Sequence, residues 1–204
     1  MTEILSQGGV ILWLILALGV IAIGIYLERS LWLHRARIDT EDFLRGIKNL
    51  LRRGNESEAL ALCKETDTPV ARIASLAISR RKLSRDLLLE ELDRAGLSET
   101  ERLERRIILL AVISQSAPLL GLFGTAIAII RALYFYQTRF PNVSTGDFAG
   151  FLIPGALAVA AGLLVAIPCH IGFNLLVLKI DRIVLDMRDA VSNMVHFFED
   201  PNRD

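Results

Sequence analysis

Three stretches of the chain run without an aspartate, glutamate, lysine or arginine for longer than a bilayer is thick. They are Ile4 to Leu27 and Ile107 to Ile130, 24 residues each, and Phe148 to Leu178, 31 residues. A helix rises about 1.5 Å per residue and crosses hydrocarbon in about 20 residues, so each run can span. In a chain of 204 residues, three such runs leave too little polar sequence to wrap them inside a soluble domain. The expected fold class is an all-α membrane protein with three transmembrane helices.

A secretory signal is the rival reading of the first run. That run lacks a basic start, exceeds the length of a signal core, and continues into Glu28, Arg29 and Ser30 with no small-residue cleavage site, so it is read as a mature helix. Orientation follows the basic residues. Of 23 lysines and arginines, 17 lie between residues 28 and 106, four follow Leu178, and only Arg131 and Arg139 fall between the second and third runs. Positive charge stays in the cytoplasm, which puts the N-terminus outside. The chain then divides into an outer N-terminus and first span (1–30), a cytoplasmic helical region (31–106), a second span (107–136), an outer loop (137–147), a third span (148–178) and a cytoplasmic helical tail (179–204). Acidic residues nearly balance the basic ones in the middle region, so it reads as a folded body and not as a nucleic-acid-binding or lipid-binding tail. Cys63 and Cys169 fall where thiols stay reduced, and core packing is their default role.

Within the middle region, start signals divide the chain into helices. Asp39 and Thr40 open an amphipathic stretch with Phe43, Ile47, Leu50 and Leu51 that stops at Gly54. Asn55 and Glu58 form a capping-box pattern, and Thr68 followed by Pro69 is a cap with a first-turn proline. Ser84 opens a further helix. From Asp86 the pattern favours one continuous helix into the second span as far as Tyr136, although Ser98 to Glu101 could cap a restart. Apolar residues between charges after Lys179 extend the third span inward as a second long helix.

The spans themselves are rich in small residues. Ser114, Ala117, Gly121, Thr125 and Ala128, with Gly124 beside them, line one face of the second helix, and Gly155, Ala158, Gly162, Ala166 and Cys169 line one face of the third. Lipid offers no hydrophobic drive for helices to associate, so close approach depends on such faces. They serve either contacts inside one chain or contacts with further helices. Pro118, Pro154 and Pro168 remove backbone hydrogen bonds and mark kinks, with Ser114 placed to compensate for Pro118.

Familiar enzyme signatures such as GxxxxGK[ST], HExxH and GxSxG are missing, and His34, His170 and His196 are too scattered to suggest a metal site. No catalytic role, metal or cofactor is expected. Ion transport needs polar groups at membrane depth, yet no Asp, Glu, Lys or Arg lies inside the three apolar runs. Thr125 has a structural reading as a bond to its own helix backbone, His170 and Asn174 read as helix contacts or caps, and Arg131 as a residue reaching the headgroups. If protons cross beside this chain, another molecule supplies the titrating carboxylate.

The segment APLLGLFGTA, Ala117 to Ala126, resembles the second-helix signature of the MotA/TolQ/ExbB proton-channel family. GALAVAAGLLVAIPCHIGFN, Gly155 to Asn174, is similar to that family's third helix, above all at Ala156, Leu157, Gly162, Leu163, Ala166, Ile167, Pro168 and Asn174. Weaker likenesses fall at Gly8 to Val10, at Glu28 and Arg29, and at Ala59 to Arg72. The resemblance implies an ExbB/TolQ-like subunit of the bacterial inner membrane: a homopentamer around a single-span partner of the ExbD or TolR kind, whose membrane aspartate carries protons and drives a TonB-like or TolA-like arm. It implies pore-lining roles for Thr125, Ala160 and Ser114, and favours protons over sodium. Ala160 replaces a usual threonine, Gly155 a frequent acidic residue and Ala128 a usual glycine. Those departures motivate the alternative of a non-conducting scaffold with the same fold. A transporter with its own soluble-ligand site is the least supported alternative, because no polar cluster lies at mid-membrane.

Overall fold

A computed structural model describes residues 9–35, 39–139 and 144–199. The start of the first apolar run, residues 4–8, and the middle of the expected outer loop, residues 140–143, lie outside them. Among the described residues every element is a helix: α1 (Gly9–Arg35), α2 (Thr40–Arg52), α3 (Glu56–Glu65), α4 (Pro69–Arg80), α5 (Arg85–Glu104), α6 (Ile108–Arg139) and α7 (Thr145–Glu199). Three of them, α1, α6 and α7, are long and apolar enough to cross a membrane. Leu119 and Leu164 on two of these helices are 65% and 70% exposed, which suits lipid or other chains and not water.

The chain forms two units. One combines the sequence up to Glu28 with Ile107–Leu175; the other combines Arg29–Arg106 with the sequence from Leu176 onward.

The second unit begins from cap chemistry. Asp39 accepts from the amide of Asp42 at 3.3 Å and Thr68 from that of Ala71 at 3.3 Å, so both expected N-caps form. After α2 the chain turns at Gly54, whose φ of 76° is a conformation that favours glycine. Asn55 caps α3 differently from the expected box: its side chain makes no cap bond to backbone and its amide donates instead to Glu58 at 3.1 Å. Helices α2 to α5 then bury Ile47, Ile73, Ile78 and Leu92 around Met187, Met194 and Val195 of α7. The tail is thus a core element of this unit, held also by an Arg85–Glu199 ion pair at 2.9 Å. A second pair, Arg72–Glu99 at 2.8 Å, ties α4 to α5.

Cys63 belongs to the same core, and burial pushes its thiol up to about 11. The thiolate is the reactive form, so Cys63 is expected to resist alkylation at pH 8 until the unit unfolds, read as labelling by iodoacetamide with and without denaturant.

One expectation changes here. The helix from Asp86 does not run on to Tyr136; it passes unbroken through Ser98–Glu101 but gives way to a turn at Arg105–Ile107, and α6 starts at Ile108. The last carbonyls of a helix lack intrahelical partners, and here Arg29 supplies one. Its guanidinium donates to the Leu103 carbonyl at 3.2 Å and lies 4.9 Å from the centre of the Trp32 ring, in a residue only 3% exposed. A cation at a helix C-terminus also meets the favourable end of the helix dipole. Arg29→Met, which keeps bulk but removes the donor, is expected to cost about 1–3 kcal/mol, measured by unfolding in detergent, with faster hydrogen exchange at residues 105–107.

Candidate functional site

In the first unit α6 and α7 lie antiparallel with their backbones nearly touching. A Cβ on Gly121 would stand 2.8 Å from the Ala158 carbonyl oxygen and 2.9 Å from the Val159 Cα, and one on Gly162 would stand 2.6 Å from the Ala117 carbonyl oxygen. Further along, a Cβ on Gly124 would meet that of Ala158 at 2.8 Å, and one on Gly155 would meet that of Ala128 at 2.8 Å and the Thr125 Cα at 3.1 Å. The small-residue faces therefore meet each other: Ala117, Gly121, Gly124 and Ala128 pack against Gly155, Ala158 and Gly162, and these seven residues and Ala166 are all buried within one chain. The stripes by themselves do not call for a second copy.

The first span packs against the same pair. Ile11 approaches Gly124, Gly19 lies against Val165, and the Tyr26 ring covers Gly172, where a Cβ would stand 2.9 Å from the ring edge. Helix α6 continues through Pro118 and α7 through Pro154 and Pro168. Ser114 does not compensate for Pro118 as expected: its hydroxyl donates to the Ala111 carbonyl at 2.8 Å, while the carbonyl that loses its amide partner to the proline is Ser114's own.

Thr125 forms a side-chain hydrogen bond between the two helices. Its hydroxyl reaches the Gly155 carbonyl on α7 at 2.9 Å and the Gly121 carbonyl on its own helix at 3.2 Å. The local bond foreseen from sequence is present, but the shorter one crosses to the neighbouring helix. It depends on Gly155, since any side chain there would collide with Ala128 and Thr125.

The residues implied as pore-lining differ in exposure within the single chain. Thr125 is half-buried at the α6–α7 seam, Ser114 is buried, and Ala160 is exposed. His170, Asn174 and Arg131 are also exposed. Two polar residues went unread in the sequence. Gln115 is a polar, exposed residue on α6, and Arg29 is buried although an arginine closing an apolar run normally reads as an interface residue. Among the described residues no group of three or more His, Cys, Asp or Glu side chains could hold a metal ion.

Comparison with known proteins adds three relatives. The chain is 28% identical over 166 residues to an ExbB homolog of Methanothermobacter thermautotrophicus, covering 81% of this chain and 58% of that protein. It is 34% identical over 86 residues to the biopolymer transport protein ExbB of Aquifex aeolicus, covering 42% and 57%. Over 197 residues it is 26% identical to the biopolymer transport protein ExbB of Neisseria meningitidis serogroup A, covering 90% and 87%. The match thus spans under two thirds of the first two relatives and most of the third. Residues 65–189, which hold the α6–α7 seam and Thr125, match the MotA/TolQ/ExbB proton channel family as a whole, and with more than half of its length so matched the chain belongs to that family.

Proposed function

We propose that this chain is the ExbB/TolQ-like subunit of a bacterial inner-membrane motor that turns proton motive force into work on an envelope-spanning partner. Five copies enclose the span of an ExbD/TolR-like protein whose membrane carboxyl group carries the proton, and a TonB-like or TolA-like arm receives the motion. The N-terminus faces outward and the second unit faces the cytoplasm. The observation that carries this reading is the pairing of family membership with three apolar runs that contain no Asp, Glu, Lys or Arg: the chain supplies a closely packed wall and lacks the titrating acid of a proton path.

Co-expression with a single-span protein of the ExbD/TolR kind tests the reading. The expected result is a complex that stays together through purification, with five copies of this chain by native mass spectrometry and proton flux in vesicles that depends on the partner. A complex that forms but conducts under no driving force makes the chain a scaffold of the same fold. A chain that purifies as a lone copy and never retains the partner overturns the proposal.

A further inference from the structure

We infer that the Arg139 end of α6 carries a binding site for one anionic phospholipid, with its phosphate held by Arg131 and Arg139 and an acyl chain laid along the exposed apolar face of α6. A cleft of about 520 Å³ opens there between α6 and α7, and its lining includes Ile130, Arg131, Tyr134, Phe135, Arg139 and Phe151. Two arginines stand in that lining and no acidic residue does. Only the side of the membrane is taken from the motor reading; the site itself stands without it.

Ile130 ends the second apolar run and Arg131 is the first charge after it, so the cleft lies where headgroups begin. Arg139 does not extend away from the helix. Its guanidinium folds back to 5.3 Å from the centre of the Phe135 ring, and that ring packs on Phe151 with centres 5.0 Å apart. Phe135 lies about one turn, ~6 Å along the axis, from Arg131, so both guanidinium groups can reach a single phosphate. Each offers paired donors that match phosphate oxygens, and the Tyr134 phenol, in a residue 70% exposed, adds one more. Thr138 adds none, because its hydroxyl donates to the Tyr134 and Phe135 carbonyls at 3.1 and 3.0 Å.

Of 23 basic residues only these two fall between the second and third apolar runs, and the orientation proposed above puts them on the side where basic residues are disfavoured. Two cations this close repel each other, and an anion between them removes that cost. Asp147, the one acidic residue between Arg131 and Lys179, is engaged elsewhere. Its carboxylate accepts from the Ser144 hydroxyl at 2.8 Å while its amide donates to that hydroxyl oxygen at 3.2 Å, a cap on the start of α7. A phosphate carried on acyl chains fits the surroundings better than a free anion. Leu119, Phe123, Ile130 and Tyr134, spaced so that they share one face of α6, are all exposed. From Leu119 to Ile130 that face runs about 16 Å, roughly half the thickness of the hydrocarbon core. A choline headgroup would return a cation to the cleft, so the site favours headgroups without one.

The test is native mass spectrometry of the purified full chain, in whatever assembly it forms, after equilibration with phosphatidylglycerol or phosphatidylcholine, with and without excess inorganic phosphate. Phosphatidylglycerol is expected to be retained about tenfold better than phosphatidylcholine, and Arg131→Gln and Arg139→Gln are each expected to lower its retention by about tenfold, the worth of one charge-assisted hydrogen bond. The control is Arg105→Gln with Arg106→Gln, two exposed arginines ahead of α6, which is expected to keep the preference. All four side chains are exposed, and such substitutions cost little stability. Equal retention of the two lipids, displacement of phosphatidylglycerol by inorganic phosphate, or a preference lost with Arg105 and Arg106 but kept without Arg131 and Arg139 overturns the inference. If the double variant Arg131→Gln, Arg139→Gln keeps the lipid but falls apart into single copies, or sheds a single-span partner, the cleft belongs to that protein and the inference is likewise overturned. Failure of the wild-type chain to retain any partner removes the motor reading and leaves the lipid site standing.

Discussion

Gly162→Leu is expected to abolish the folded protein. At this position a Cβ alone would stand 2.6 Å from the Ala117 carbonyl oxygen, 3.3 Å from its carbon and 3.4 Å from the Gly121 Cα. All three atoms are backbone, so no rotamer change on α6 makes room, and the helices would have to separate. Separation forfeits the contacts at Gly121 and Gly124 as well, because hydrocarbon gives no compensating drive to reassociate and the attraction between these helices is close packing itself. Even Gly162→Ala is expected to cost about 1–3 kcal/mol, the usual penalty for forcing one extra group into a filled interior. The contrasting substitution is Gly96→Ala in α5, where a Cβ would meet nothing within 4 Å. There the gain in helix propensity is expected to be neutral or to stabilise by up to about 1 kcal/mol. Thermal unfolding and gel filtration in detergent check both: equal behaviour of the two alanine variants would mean that α6 and α7 do not meet through glycine.

The difference between these two glycines also shows what can be read from a sequence and what cannot. Both sit inside apolar-patterned helices, and only three-dimensional contact separates a glycine that admits a neighbouring backbone from one that is merely tolerated. The three long runs were legible because the absence of charge over 24 or more residues leaves few physical alternatives. Asp39 and Thr68 were legible because an N-cap is decided by residues three apart in the chain. Features decided by distant residues were not. The turn at Arg105–Ile107 interrupts a stretch whose local pattern favours helix throughout, and the contact that satisfies the helix end comes from Arg29, 74 positions away. Likewise the small-residue faces were visible as faces, but whether they met each other or a second molecule depended on how α6 and α7 pair. Ser114 failed for a local reason: its hydroxyl reaches back to Ala111, whereas the group in need is its own carbonyl.

Thr125→Val is expected to reduce partner-dependent proton flux by about tenfold or more while the complex still assembles, a ratio that corresponds to roughly 1.4 kcal/mol or more of lost stabilisation along the path. Valine matches the shape of threonine, so what is lost is one hydroxyl. As a structural element that hydroxyl is a hydrogen bond between helices, and such bonds in membranes average about 0.6 kcal/mol and reach about 1.7. Against total stabilities of about 5–15 kcal/mol this is too little to unfold the chain, and the tight contacts at Gly121, Gly124, Gly155 and Gly162 remain. Loss of flux with normal assembly therefore cannot be assigned to a weakened fold. Thr125→Ser keeps the hydroxyl while giving up a methyl group, and it is expected to conduct close to wild type. The pair of variants separates two roles that the geometry combines in one side chain. Full flux in Thr125→Val, with a small drop in melting temperature, would reduce Thr125 to a clamp between α6 and α7 and move the proton path elsewhere along the wall. Flux lost in the valine variant and kept in the serine variant leaves the hydroxyl oxygen, held in place by the Gly155 and Gly121 carbonyls, as the group on which conduction depends.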